Sequence, residues 1–493
     1  MLSNFLQKHE QELDRKFNCD SFYQKSKIDN IRRDYQPVTM NPRAAEKTLE
    51  QAWKEAGAPR IPKNLSEKEK DIYKKLVRVR RDRMISGATP PHVVVITDLG
   101  KDYDDLAAMV VLKELHRIGL IKLEGFITNL HPPKDRARFG RGCLDTLGLR
   151  DIPIAWGEEA QTDATKRTPP KYYEFPEGQD YFKAIWGETP DFTPYGQEKN
   201  AETEIESGVK FLDRIVNERL QTPEKGGLTF LLISSLSDIA TFAKREPENL
   251  AAVTKNVILQ GGYSIEQGPN SHHPILTANL KAANNAFDKQ SATEFHEYMD
   301  KNHIPSVVYT KPAASAAALP PTVFEELRDT NQPVGIHLQH IQAIQDLEYY
   351  ENACDPKKRF LPHLDQDWFL KTRTIYPKIH GTNWKTRTDK PKGKEVLQYV
   401  QLVCYDALAA LGTAGNDVLR ELNVLQSPGL FAQQEPQIHK IIGVEGEEAA
   451  EGVEARKDDP GINVENMKLA LTALLKGSLM ALQQGIPSTH MAL

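Results

Sequence analysis

The stretch His92-Val-Val-Val-Ile-Thr-Asp98-Leu-Gly-Lys-Asp102-Tyr-Asp104-Asp105 puts four carboxylates within eight residues, directly after an apolar run. Like charges this close repel, and more strongly as water is excluded, so the cluster needs a counter-charge. A hard divalent cation supplies one, and Ca²⁺ takes carboxylate oxygens readily. From Leu106 to Leu115 the pattern turns helical. Acids in a helix's first turn are also favoured by the macrodipole. That accounts for one or two of the four acids, and poorly for all four around Gly100.

Positioning such a cluster takes a strand that stops at Asp98 and a helix that starts at once. The sequence predicts this arrangement repeatedly. Strand candidates are Val93–Ile96, Lys122–Thr128, Ile154–Trp156, Leu228–Ser234, Asn256–Gln260 (running into Gly261-Gly262) and Ser306–Tyr309. Helical stretches alternate with them at 134–147, 208–217, 238–244 and 287–299, and an amphipathic helix closes the chain at 464–482. Strand–helix alternation predicts an α/β fold, a mostly parallel central sheet flanked by helices on both faces. In open sheets of this kind ligands bind at the carboxyl ends of the strands, where Asp98 falls.

Two domains are expected: a basic, helical N-terminal extension over 1–90 and an α/β domain over 91–493. Polar insertions near 160–205 and 355–395 are positioned to build a lid or pocket wall. An acidic loop spans 445–460. Helices in the extension are expected at about 2–16, 43–56 and 66–84, between prolines. The net charge of −5 is uneven: residues 1–90 carry +7 and the rest −12. A solvated helical face explains the basic part most simply.

The overall charge gives no reason to expect nucleic acid, and no stretch approaches a membrane span. Four cysteines stand far apart without a CxxC pair, which argues against zinc or a disulfide framework and suits a reducing compartment. The first ten residues lack an apolar run of signal-peptide length, so a cytoplasmic location is expected.

Further pieces recur in order: Leu231-Leu-Ile-Ser-Ser-Leu-Ser-Asp-Ile-Ala240, Asn256-Val-Ile-Leu-Gln-Gly-Gly262, Leu276-Thr-Ala-Asn279 and Leu402-Val-Cys-Tyr405-Asp406. Together with the acidic motif, over about 92–485, they resemble the inosine–uridine-preferring nucleoside hydrolase family. Its motifs are Asp-x-Asp-Pro-Gly-x-Asp-Asp, Gly-Pro-Leu-Thr-Asn, Met-Gly-Gly, Glu-Phe-Asn and a late His-Asp.

The resemblance implies a Ca²⁺-dependent hydrolase of N-glycosidic bonds in nucleosides or related ribosyl compounds. It also implies a homo-oligomer acting on a small nucleoside-like substrate. In that family the ion holds a water and the ribose 2′- and 3′-hydroxyls. An oxocarbenium-like transition state gains from nearby carboxylates, and a cation lowers the pKa of its bound water. Ca²⁺ is a weak acid, so a carboxylate base is still required.

Carried over by motif, the metal ligands are Asp98, Asp105, Asp406 and the main-chain carbonyl of Ile233. Asp104 contacts ribose and water, and Asn279 a sugar hydroxyl. The departures are specific. Gly100 stands where the family has its second Asp, the general base, and Asp102 replaces the motif Gly. Asp102, Asp98 or Asp104 is left to orient or deprotonate the water. Tyr405 replaces the His that protonates the leaving base. Its reference pKa near ~10 makes it a weak acid at neutral pH. Thr277 replaces a sugar-binding Glu, and Pro133 falls near the ribose-binding Asn, with Asn129 upstream as a substitute.

The alternative is a catalytically degenerate hydrolase-like protein acting as a binding or assembly subunit. Other candidates have plainer explanations. His272-His273 fits a surface loop. Lys311, at a strand end, can compensate the acids, bind an anionic substrate or simply be solvated. Trp368, Tyr376, Trp384, Lys371 and Arg373 fall where the family stacks its base, and core packing explains the aromatics as well.

Overall fold

A computed structural model describes residues 57–100, 102–160, 205–267, 274–359, 364–426, 439–443 and 460–488. The helices expected at 2–16 and 43–56, the pair His272-His273, nearly all of the 160–205 insertion and most of the acidic 445–460 loop lie outside them.

The chain runs through helix α1 (Glu67–Ser86), strand β1 (His92–Thr97), α2 (Tyr103–Ile118), β2 (Lys122–Thr128), α3 (Pro133–Thr146), β3 (Ile154–Trp156), α4 (Gly208–Gln221), β4 (Leu228–Leu232), α5 (Ser237–Arg245) and β5 (Thr254–Gln260). It continues through β6 (Tyr263–Gln267), β7 (Pro274–Ala278), α6 (Lys289–Lys301), β8 (Ser306–Tyr309), α7 (Pro333–Cys354), α8 (Gln366–Arg373), α9 (Tyr405–Gly412), β9 (His439–Ile442) and α10 (Val464–Gln483). Shorter helices connect these.

Seven strands form one sheet in the order β3-β2-β1-β4-β5-β8-β9, and every pairing in it is parallel. The expected α/β architecture is therefore present, with a central sheet that is parallel throughout. A parallel sheet needs helices on both faces, which is why its strands read as unbroken apolar runs. β1 is buried along its whole length. Val93 and Val95 point into the core shared with α2, α9 and α10, and Val94 and Ile96 into the one shared with α4, α5 and α6.

The chain winds outward from β1 through β2 to β3, then crosses to the other side of β1 at β4. That reversal opens a crevice between the carboxyl ends of β1 and β4, the position where open α/β sheets bind ligands. Ile233 donates its N–H to the Ile96 carbonyl across it (2.9 Å).

β6 and β7 form a separate antiparallel ribbon, which the sequence reading leaves out. It springs from Gly261-Gly262 and leads directly into Asn279. The late insertion is not a solvated loop. Tyr350, Phe369, Leu370, Tyr376, Trp384, Val396 and Val400 bury one another in a small core of their own.

α1, which falls in the expected 1–90 extension, packs on the α/β body. Ser66 and Glu69 close a capping box at its start, and Tyr73 and Leu76 are fully buried in the core of α2 and α10. Its basic end is held by protein. Arg83 donates to the Leu120 carbonyl (2.7 Å) and, through Nε, to Asp417 (2.6 Å).

Candidate functional site

The first turn of α2 carries the acidic motif. Gly100 has φ 107°, a conformation closed to residues bearing a Cβ. An aspartate at position 100 would be strained in this turn, which gives a physical reason for glycine where the acid is missing. Asp102 occupies the N-cap of α2 without making a cap hydrogen bond. Its carboxylate is hydrogen-bonded with Asp104 instead. Carboxylate oxygens of Asp102, Asp104 and Asp105 lie within 4.8 Å of one another. Asp105 is buried and accepts from the Thr97 hydroxyl at the end of β1. Asp98, also buried, follows Thr97.

The late Asp406 comes near this cluster. α9 packs along α2, and buried Asp406 in its first turn feels the charge of all four acids of the motif, although neither it nor Asp98 belongs to the group whose oxygens lie within 4.8 Å. Burial pushes the Asp406 carboxyl well above the usual carboxylate range, and Asp104, Asp105, Asp98 and Asp102 push it further. Burial does the same to Asp104, reinforced by Asp102 and Asp105. For Asp105, burial and the charges of Asp98 and Asp102 outweigh the Thr97 hydrogen bond and the Arg136 guanidinium. Five acids from the β1 end and the α9 start thus lie near one another, Asp98, Asp105 and Asp406 buried and Asp102 and Asp104 partly exposed. Hard oxygen donors in this density can hold a metal ion.

The scaffold beneath was not visible in the sequence. Arg136 of α3 is fully buried. Its guanidinium donates to the carbonyls of Asp98, Leu99 (3.3 Å) and His131 (3.3 and 3.2 Å), tying the β1 and β2 loops together. In sequence Lys134-Asp-Arg136 reads as an exposed helix start.

Asn129 is buried too. Its amide nitrogen donates to the Ser235 carbonyl and to Asp238 (both 2.9 Å), and its oxygen accepts from Ser234 (2.6 Å). Both of its N–H donors are taken by protein, so Asn129 orders the β2 and β4 loops and has no N–H left for a sugar. Burial lifts the Asp238 carboxyl to about 7, against the Asn129 hydrogen bond. A Cβ at Gly157 would fall 2.4 Å from Asp238 Oδ1.

Asn279 follows β7. Its N–H bonds the Gly262 carbonyl (3.0 Å), and its side-chain oxygen accepts from the Lys281 N–H (3.0 Å). Its side chain lies against Gly262, where a Cβ would come within 3.1 Å of it, so the paired glycines make room for it.

Tyr405 is half-buried, with the Arg373 guanidinium 5.9 Å from its ring centre. Arg373 also lies 5.4 Å from the Tyr349 ring. Tyr349 packs on Trp368 at 5.8 Å, and Lys311 lies 6.0 Å from Trp368. Tyr376 and Trp384, by contrast, are core residues. Near Arg373, burial raises Asp346 to about 6, opposed by Gln342 and Arg373. Asp346 sits mid-helix in α7, where nothing in the sequence marks it.

No family model and no curated protein matches the sequence. Solved structures do match. The effector protein XOO4466 superposes with a TM-score of 0.61 at 21% identity, covering 84% of this chain and 99% of that one. The type III effector XopQ, solved with adenosine diphosphate ribose, gives 0.59 at 20%, covering 84% and 100%. An inosine-guanosine nucleoside hydrolase gives 0.46 at 12%, covering 78% and 98%. The chain therefore shares its α/β fold with these two effectors. Among the described residues no helix is long and apolar enough to cross a membrane.

Proposed function

We propose that the protein binds a divalent cation, Ca²⁺ by preference, and hydrolyses the N-glycosidic bond of a ribosyl compound in this crevice. The observation that carries the reading is the cluster of Asp102, Asp104 and Asp105, with buried Asp406 near enough to feel their charge. Uncompensated acids cost stability, and removing the cost is what a hard cation does.

Asp105, Asp98 and Asp406 would hold the ion, with Asp102 or Asp104 and the Ile233 carbonyl completing the set. When bound, the cation supplies an anchor for vicinal sugar hydroxyls and a sink for the negative charge of the acids. Asp102 or Asp104 accepts the proton of the attacking water. The carboxylate field stabilises the positive charge that develops on the sugar ring as the bond to the base breaks. Asn279 orients a sugar hydroxyl. Tyr405, beside Arg373, is placed to donate a proton to the departing base.

A second reading, ligand binding without turnover, is favoured by Gly100, whose backbone excludes the acid that would act as base, and by the effector solved with adenosine diphosphate ribose. One experiment separates them. Calorimetric Ca²⁺ titration of the wild type and Asp105→Ala is run beside a hydrolysis screen of ribosyl compounds. Saturable Ca²⁺ binding lost in the variant, with base release by the wild type alone, supports hydrolysis. Binding without release on any substrate supports the second reading. No Ca²⁺ binding to the wild type removes both the ion and the hydrolase.

A further inference from the structure

Five carboxylates crowd one end of the crevice and repel an anion, even after one divalent charge is counted. The opposite wall has the reverse character. Arg373 ends α8 half-buried among the rings of Tyr349 and Tyr405, at 5.4 and 5.9 Å. Among the described residues, no acceptor takes a hydrogen bond from its guanidinium, and no carboxylate lies within ion-pairing distance. A guanidinium presents five donors in a fixed fork that matches phosphate.

Lys311 begins the segment after β8, so it stands at the same carboxyl rim of the sheet as Asp98. It is exposed, and no ion pair to it exists among the described residues. Lys311, Trp368, Tyr349, Arg373 and Tyr405 touch in series, ending one residue from Asp406. Two cations with no ion pair among the described residues, Arg373 having only the more distant Asp346 as counter-charge, are thus strung along an aromatic wall that starts near the acid cluster.

We propose that this wall is an anion subsite, so the preferred ligand is a ribosyl compound carrying phosphate, with the sugar at the acids and the phosphate on Arg373 and Lys311. The proposal deepens the ribosyl reading and rests on it. A neutral nucleoside fills only the acidic end, leaving Arg373 with unused donors. Burial opposes the Arg373 charge, but Tyr405, Tyr103, Tyr349 and Asp346 sustain it, so a cation is there for phosphate to meet.

The test is calorimetric binding of adenosine, AMP and ADP-ribose to the full chain with Ca²⁺ in excess. AMP and ADP-ribose should bind at least about tenfold more tightly than adenosine, the scale of one charge-assisted contact. In Arg373→Met that advantage should fall to about twofold or less while adenosine affinity holds, and Arg373→Lys should restore part of it. Lys311→Ala, an exposed change that does not threaten folding, should reduce the advantage as well. Equal affinity for adenosine and AMP in the wild type overturns the subsite. So does an equal loss for both ligands in Arg373→Met, or a preference unmoved in both Arg373→Met and Lys311→Ala. Asp105→Asn keeps the two ideas apart. A phosphate preference that persists there, with adenosine bound as before, upholds the subsite and removes the metal–ribose reading beneath it. Failure of all three ligands to bind the wild type overturns both.

Discussion

The two ends of α2 hold charge in opposite ways. At its start, Asp104 and Asp105 face Asp98, Asp102 and Asp406, and their carboxyls are driven far above the ordinary range. At its end, fully buried Glu114 accepts from Arg117 at 2.8 and 2.6 Å and from the Tyr73 hydroxyl of α1 at 2.5 Å. Neighbouring Lys113 donates to the Ser478 carbonyl of α10 (2.7 Å). Burial works against the Glu114 charge, but Lys113 and Arg117 outweigh it and hold its carboxyl below the usual value. Compensated charge fastens helices together. Charge set among like charges, as at the other end, raises the carboxyls instead.

The comparison breaks most visibly at Glu114. Glu114→Ala strands Arg117 and Lys113 in the core and should cost about 3–5 kcal/mol in urea denaturation, whereas Asp105→Asn, relieving repulsion, should leave the metal-free protein no less stable. A loss of comparable size in Asp105→Asn would show that the acids are structural. Next in size, Ca²⁺ at about 100 times its dissociation constant should stabilise the wild type by roughly 2.7 kcal/mol and Asp105→Asn by nothing, read as thermal shifts.

The two ends should also differ in pH response. Asp104, Asp105 and Asp406 keep protons in the folded chain where the unfolded chain has lost them. Their contribution is full below the ordinary carboxylate value near ~4 and is lost as pH rises through their raised values. The metal-free acids should therefore lower stability by an amount on the order of 1 kcal/mol per pH unit for each carboxyl titrating, and saturating Ca²⁺ should flatten the slope. Glu114 contributes with the other sign, and its share disappears only on strong acidification. A pH series of melts with and without Ca²⁺, compared with Asp105→Asn, reads this out. Smallest is Tyr73→Phe, which removes one hydrogen bond to a charged group and should cost about 1.5–3 kcal/mol at the lower end of that range, without altering Ca²⁺ binding.

Much of the acidic end could be read from residue order. An apolar run into Asp98, acids spaced around Gly100, and the Tyr405-Asp406 pair opening a late helix are local signals, and the sheet rule brings them to one rim. The compensated end was hidden because Lys113-Glu114 and Arg117 look like an ordinary solvated face. Only the docking of α1 and α10, a long-range event, makes them interior. Arg136 escaped for the same reason. Asn129 has a position along the chain that suits a sugar contact. Its hydrogen bonds to Ser234, Ser235 and Asp238 depend on β4 lying beside β1, which no local pattern reveals. Arg373 and Trp368 stand beside Tyr376 and Trp384 in the sequence, and only the packing of the late insertion separates them from these core residues.

The Tyr73 hydroxyl lies against Gly477, where a Cβ would come within 1.8 Å, so the first described helix is seated on the last. During synthesis that seat does not exist until α10 has emerged from the ribosome. Until then the flank of the nascent polypeptide around Glu114 stays wet and open to chaperones, and this side of the molecule matures only after α10 has been made.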